Sequence, residues 1–126
     1  MQNNKQLILL VDDNPANLRI GKNVLSEKYS VATAPSAQKL FDLLKTNHPV
    51  LILLDIDMPE ADGYTAIKIL KSDTKTKDIP VIFLTGMSDS VDEEKGRTLG
   101  AVDYITKPFD PPALLACIEK ALLENK

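Results

Sequence analysis

The sequence predicts an α/β domain: a five-stranded parallel sheet with helices on both faces. Three observations carry this. Short apolar runs alternate with amphipathic helical patterns five times along the chain. One of these runs, Val50 to Leu54, is apolar without a break, as a strand buried on both faces of a parallel sheet requires. Four of the five runs then break off into a carboxylate, a hydroxyl or a lysine, which sets those groups at the sheet's carboxyl edge, where open α/β sheets bind ligands. Such alternation implies right-handed crossovers, but periodicity leaves the strand order open.

The first run, Leu7 to Val11, ends at Asp12-Asp13. Asn14-Pro15 then supplies an N-cap and a proline at the first helical position. The helix is expected from Pro15 to about Glu27, with Leu18, Val24 and Leu25 inward. Ser30 to Ala34 is a short β-branched strand, and Ser36 caps a helix whose Ala37, Leu40, Phe41 and Leu44 fall on one face. His48-Pro49 ends it, and the central strand Val50 to Leu54 follows, with Asp55 placed just outside the apolar interior. Glu60 to Gly63 reads as a turn. A helix from Tyr64 to Lys71 presents Ala66, Ile67 and Leu70.

A polar loop then leads to a fourth strand, Pro80 to Leu84, ending at Thr85-Gly86. Ser90 to Glu93 has the capping-box form and opens a helix that stops at Leu99, with Gly100 as its terminator. That helix has few large apolar residues and is expected to pack lightly. Val102 to Thr106 is the fifth strand, followed by Lys107-Pro108-Phe109. Asp110 and Pro111 start the last helix, with Leu114, Ile118, Ala121 and Leu122 as its buried stripe.

The 126 residues suit one domain, 1–126, with a core from about 7 to 123. A net charge of −3 argues against a nucleic-acid surface, which needs a basic stripe. No apolar run approaches the roughly 20 residues of a membrane span, nor does the start of the chain have a signal peptide's form, so a cytoplasmic location is the expectation. Cys117 is the single cysteine and sits in an apolar helical pattern, so it reads as a core residue. His48, also single, reads as a loop residue.

In a parallel sheet the strand ends share one edge, so Asp12, Asp13 and Asp55 would meet there with Asp57 close by. An acid opening a loop is ordinary by itself; four strand ends supplying such groups together are not. Like charges so close oppose each other's ionisation, and Lys107 cannot neutralise them all. A hard divalent cation with oxygen ligands and retained waters, Mg²⁺, suits the set.

These residues in this order resemble the receiver domains of two-component response regulators. The resemblance runs from Leu7 to Leu123. It rests on Asp12-Asp13, on DIDMP with Asp55, on Asp62-Gly63, on FLTG with Thr85, and on GAVDYITKPF with Lys107. It implies the flavodoxin-like fold with strand order 2-1-3-4-5. Asp55 would be the phosphoacceptor, modified to 4-aspartylphosphate. The side chains of Asp13 and Asp55 and the backbone carbonyl of Asp57 would hold Mg²⁺, as would Asp12 directly or through water. Lys107 would pair with the phosphoryl oxygens and Thr85 would hydrogen-bond one of them. Thr85 and Tyr104 would form the switch, Tyr104 swinging into space that Thr85 vacates, and the Lys107-Pro108 bond would be cis.

The implied partner is a sensor histidine kinase or phosphotransfer protein. The implied output surface is the face of helix four, strand five and helix five, read by a partner, a second copy or an attached output domain. No direct nucleic-acid or membrane contact is implied. The domain would catalyse only its own phosphorylation and dephosphorylation. Asp57 and Gly86 stand at positions that vary in the family: Asp57 tunes loss of the phosphoryl group, and Gly86 loosens the Thr85 loop.

Two other classes compete. Asp55-Ile56-Asp57 after an apolar strand resembles the nucleophile motif of haloacid-dehalogenase-type phosphatases, but there DxD follows the first core strand and the acidic pair comes late. A flavin-binding module of flavodoxin type would need a phosphate cradle after the first strand, and Asp12-Asp13 would repel the phosphate.

Overall fold

A computed structural model describes residues 5–56, 63–86, 93–107 and 109–124. Asp57, the turn at 60–62, the capping sequence at 90–92 and Pro108 lie outside the described residues. Strands and helices alternate: β1 (Leu7–Val11), α1 (Pro15–Leu25), β2 (Ser30–Ala34), α2 (Ala37–Leu44), β3 (Leu51–Asp55), α3 (Gly63–Ser72), β4 (Val81–Thr85), α4 (Glu93–Leu99), β5 (Asp103–Thr106) and α5 (Pro111–Glu124). All strand pairs are parallel and the order is β2-β1-β3-β4-β5. This is the doubly wound flavodoxin-like arrangement that the resemblance implied.

The period of two along each strand sorts the core into two layers. Leu9, Val11, Ile52, Leu54, Val81 and Phe83 face one way and pack with Ala37, Leu40, Ala66, Ile67 and Leu70 from α2 and α3. Ile8, Leu10, Leu51, Leu53, Ile82 and Leu84 face the other way and pack with Leu25 of α1 and with Leu114, Ile118 and Ala121 of α5. Every residue of β3 and β4 is buried, which is why neither strand alternates in sequence.

Local signals set the helix ends. The Asn14 side chain accepts from the Ala16 N–H at 2.8 Å, with Pro15 at the first position of α1. Ser36 accepts from the Lys39 N–H at 3.2 Å at the start of α2. Gly100, at φ 121, ends α4 in a conformation that disfavours any residue with a side chain. Helix α1 stops at Leu25, short of Glu27, with Ser26 as its C-cap.

Two strands run one residue further than their apolar runs. β3 ends at Asp55 and β4 at Thr85, because the backbone ladder continues regardless of side-chain polarity. Ile56 N–H donates to the Leu84 carbonyl at 3.0 Å, and Lys107 N–H donates to the Thr85 carbonyl at 2.7 Å. Helix α4 does pack lightly: among its described side-chain positions only Gly96 is buried and Leu99 half-buried.

Candidate functional site: an acidic cluster at the carboxyl edge

Register brings the acids together. Val11 pairs with Leu54, so Asp12 lies level with Asp55 on the next strand. Both carry the parity of Leu10 and Leu53 and so share the α1/α5 side of the sheet. Oxygens of Asp12, Asp13 and Asp55 lie within 4.8 Å of one another, with Asp13 exposed and the other two buried. Placing Asp55 outside the interior needs correction: it is the last residue of β3 and only 1 % exposed. It pairs with Leu84, and β4 runs one residue further, to Thr85.

Lys107 enters from the end of β5. Its Nζ lies 3.1 Å from Asp12 Oδ2 and 3.3 Å from Asp55 Oδ1, an ammonium shared between two buried carboxylates. Burial pulls its pKa down, but the charges of Asp55 and Asp12 and their hydrogen bonds outweigh burial and hold it above the ordinary 10.5. Three carboxylates facing one ammonium leave two negative charges in a small volume. Hard oxygen donors with one exposed member suit a divalent cation that keeps some of its waters, and Mg²⁺ fits. Asp57 lies outside the described residues.

Asp12 is held from several sides. Its Oδ1 accepts from the Asn14 N–H at 2.9 Å, and its Oδ2 from the Asn17 side-chain amide at 3.2 Å. Sequence reading did not single out Asn17. The available signal was its place as the third residue of α1, from which a side chain leans back toward the helix start.

Thr85 is buried, and its hydroxyl donates to the Gly86 carbonyl at 3.2 Å. It carries the parity of Phe83 and so belongs to the α4 side of the sheet. Tyr104 belongs there too, and its position differs from a ring waiting to swing inward. The ring is half-buried, 5.6 Å from Phe83 between centroids. Phe83 in turn meets Tyr64 edge-on at 5.4 Å. A side chain on Gly96 would overlap the Tyr104 hydroxyl, so the glycine admits the ring beneath α4. Lys95 lies over the Tyr64 ring at 4.6 Å and Arg97 over the Tyr104 ring at 5.8 Å, so the two residues flanking Gly96 straddle the aromatic row.

Of the two single residues, Cys117 differs from its expected place and His48 does not. Cys117 is half-buried rather than fully in the core, and its thiol donates to Asp103 Oδ2 at 3.3 Å. His48 is exposed in the loop after α2. A groove of about 680 Å³ lined by Gln6, Pro49, Pro80 and Leu123 lies at the amino edge of the sheet, away from the acids. It carries none of the chemistry above.

The sequence matches the family model described as response regulator receiver domain over residues 8–119. A Vibrio cholerae protein named probable cyclic di-GMP phosphodiesterase is 42% identical over 120 residues, covering 94% of this chain and 27% of that protein. The transcriptional regulator ycf27 of Cyanophora paradoxa, named as probable, is 41% identical over 123 residues, covering 97% and 50%. The chain therefore spans half or less of the length of these relatives. Among solved structures, the receiver domain of a signal transduction histidine kinase from Syntrophus aciditrophicus superposes with TM-score 0.84 at 33% identity, covering 94% of this chain and 91% of that one. The receiver domain of a sensor histidine kinase from Pseudomonas aeruginosa, with a magnesium ion coordinated in its active site cleft, superposes with TM-score 0.84 at 28% identity, covering 94% and 98%. Nothing in these matches supports a haloacid-dehalogenase-type phosphatase.

Proposed function

The chain belongs to the response regulator receiver domain family of two-component signalling, and from that premise we propose that it is a phosphorylation switch centred on Asp55. The observation that carries the reading is Lys107 Nζ shared between Asp12 and Asp55 at 3.1 and 3.3 Å, beside a third carboxylate. The phosphoryl donor is the phosphohistidine of a sensor histidine kinase or phosphotransfer protein. Residues 1–126 act as one receiver domain, with its core from about 7 to 123.

An Asp55 oxygen attacks phosphorus. The P–N bond to the donor imidazole breaks with its electron pair left on nitrogen, and Asp55 becomes an acyl phosphate. Mg²⁺ at the cluster supplies positive charge toward the phosphoryl oxygens when bound. Asp13 and Asp55 would hold it, with the Asp57 carbonyl, and with Asp12 directly or through water. Lys107, whose Nζ lies 3.3 Å from Asp55 Oδ1, would turn to a phosphoryl oxygen. This is positioning and charge neutralisation, which is most of what phosphoryl transfer needs.

The added group carries nearly two negative charges and strong acceptor oxygens. Thr85 can give up its long bond to the Gly86 carbonyl and donate to one of them. That shift beside Phe83 selects between the inward Tyr104 under Gly96 and an arrangement with α4 displaced. The α4–β5–α5 face then presents a different surface to a partner, a second copy or an attached output domain.

The test is intact-mass analysis after incubation with Mg²⁺ and a small acyl phosphate. One base-labile phosphoryl group is expected on the wild type and none on Asp55→Asn. Modification that persists in Asp55→Asn overturns the reading.

A further inference from the structure

We propose that Asn17 is a positioning residue of the acidic site. Its side-chain amide satisfies the buried Asp12 carboxylate, so that Lys107 stays shared with Asp55 and the cluster keeps its affinity for a divalent cation. The inference rests on reading the cluster as the Mg²⁺-dependent phosphorylation site.

Asp12 is fully buried, so each of its oxygens must find donors within the protein. Oδ1 has the Asn14 N–H at 2.9 Å, fixed by the turn into α1. Oδ2 has two donors of different kinds. The Asn17 amide, at 3.2 Å, is neutral and tethered to the first turn of α1. The Lys107 ammonium, at 3.1 Å, is charged, sits on a long stem and also reaches Asp55 at 3.3 Å.

The division of labour follows from charge. With the amide on Oδ2, Asp12 does not need the whole ammonium, and Lys107 can divide itself between the two acids. Without it, Lys107 is the remaining donor to Oδ2 among the described residues, and the favourable response is for the ammonium to settle on Asp12. Asp55 then loses its cation, and Asp12 is pulled toward Lys107 and away from the other two acids. A cationic side chain at position 17 would satisfy Oδ2 equally well but would cancel charge that a metal ion needs. A neutral donor satisfies the oxygen and leaves the cluster at two net negative charges. Outer-sphere partners of this kind orient ligands, and their loss commonly weakens metal binding by 10–100-fold.

The experiment is an NMR titration of the full isotope-labelled chain with Mg²⁺ alone, read on backbone amides near Asp13 and Asp55 and on the Lys107 side chain. Asn17→Ala should bind Mg²⁺ about tenfold more weakly, and its Lys107 side-chain resonances should differ from wild type before any Mg²⁺ is added. Asn17→Leu, which fills the space but offers no donor, should behave as Asn17→Ala. Melting temperatures in a chelator serve as the control for folding. Both variants should still unfold cooperatively with only a modest fall, because the better helix propensity of Ala and Leu offsets part of the lost hydrogen bond to the buried carboxylate. A variant with no cooperative transition is replaced by Asn17→Ser in the titration. Wild-type affinity that both variants reproduce overturns the inference while leaving the site reading intact. A wild type that shows no response to Mg²⁺ overturns the site reading and the inference with it.

Discussion

The hydroxyl of Tyr104 occupies the space that a side chain on Gly96 would need, so strand β5 and helix α4 meet through a ring seated where one residue has no Cβ. On either side of Gly96, Lys95 lies over the Tyr64 ring and Arg97 over the Tyr104 ring, and Arg97 also reaches the Val102 carbonyl at 3.2 Å and Asp103 at 3.6 Å. The position of α4 and the inward state of Tyr104 are therefore coupled at Gly96.

Gly96→Ala should displace Tyr104. Alanine is the better helix former by about 1 kcal/mol, yet overpacking at a filled site costs roughly 1–3 kcal/mol, so a net loss of stability is expected despite the propensity gain. Tyr104→Phe removes the hydroxyl that would be struck and should recover part of the loss in the double variant. A double-mutant cycle by chemical denaturation measures this coupling. Additive single effects would show that the two residues are independent.

Charge at the acidic site should be visible in stability before any phosphorylation. Three carboxylates face Lys107 there. In a chelator, Asp55→Asn should melt no lower than wild type, because it removes one member of the repelling set. Lys107→Ala should be destabilised by about 3 kcal/mol, because two buried carboxylates lose their shared cation. Thermal unfolding of both variants checks the pair of signs.

Mg²⁺ should stabilise the wild type by linkage. At a tenfold excess over Kd the gain is about 1.4 kcal/mol, or roughly 3–6 °C in a domain of this size. Asp13→Asn should largely abolish the rise, since Asp13 is the exposed member of the cluster. Identical melting curves for the wild type with and without Mg²⁺ would show that the three acids do not act as one site.

Thr85→Ala should still accept a phosphoryl group at Asp55 but transmit less of it. Phosphorylated wild type should show NMR shifts reaching Tyr104 and α4, and phosphorylated Thr85→Ala should show shifts confined to the surroundings of Asp55. The full distant response in Thr85→Ala would remove Thr85 as the coupler.

The Cys117 thiol should resist ionisation. Burial, then the hydrogen bond to Asp103 and its charge, push its pKa from 9.0 up to about 12. The raised value favours the folded state fully below about pH 9 and loses that contribution as pH climbs toward 12. Alkylation by iodoacetamide at pH 9 should be slow and should speed up in Asp103→Asn. Thiolate absorbance in the wild type should rise only at the alkaline end of that window. A half-titrated thiol near pH 9 in the folded protein would contradict the Asp103 contact.

Much of the architecture is legible in one dimension because its causes are local. Asn14-Pro15, Ser36 and Gly100 are capping chemistry acting within a few residues, and the five apolar runs are the strands. The acids at the strand ends could be grouped because parallel strands place those ends on one edge. The limits of the strands were less legible. Asp55 and Thr85 look like loop residues by polarity, but backbone bonds from Ile56 and Lys107 carry the ladder past them.

What the sequence by itself determined is the order of elements, the edge that gathers Asp12, Asp13, Asp55, Thr85 and Lys107, and the family those residues belong to. Only the tertiary structure decided how the groups are arranged on that edge. Register set Asp12 level with Asp55. The period of two then put those acids on the α1/α5 side and Thr85 with Tyr104 on the α4 side. The Asn17 amide on Asp12, the ammonium divided between Asp12 and Asp55, and the Tyr104 ring under Gly96 all depend on that registration. The physical reason is range: capping and periodicity act over a few residues. The Lys107–Asp12 contact joins positions 95 apart, and nothing local specifies a distance of 3.1 Å between them.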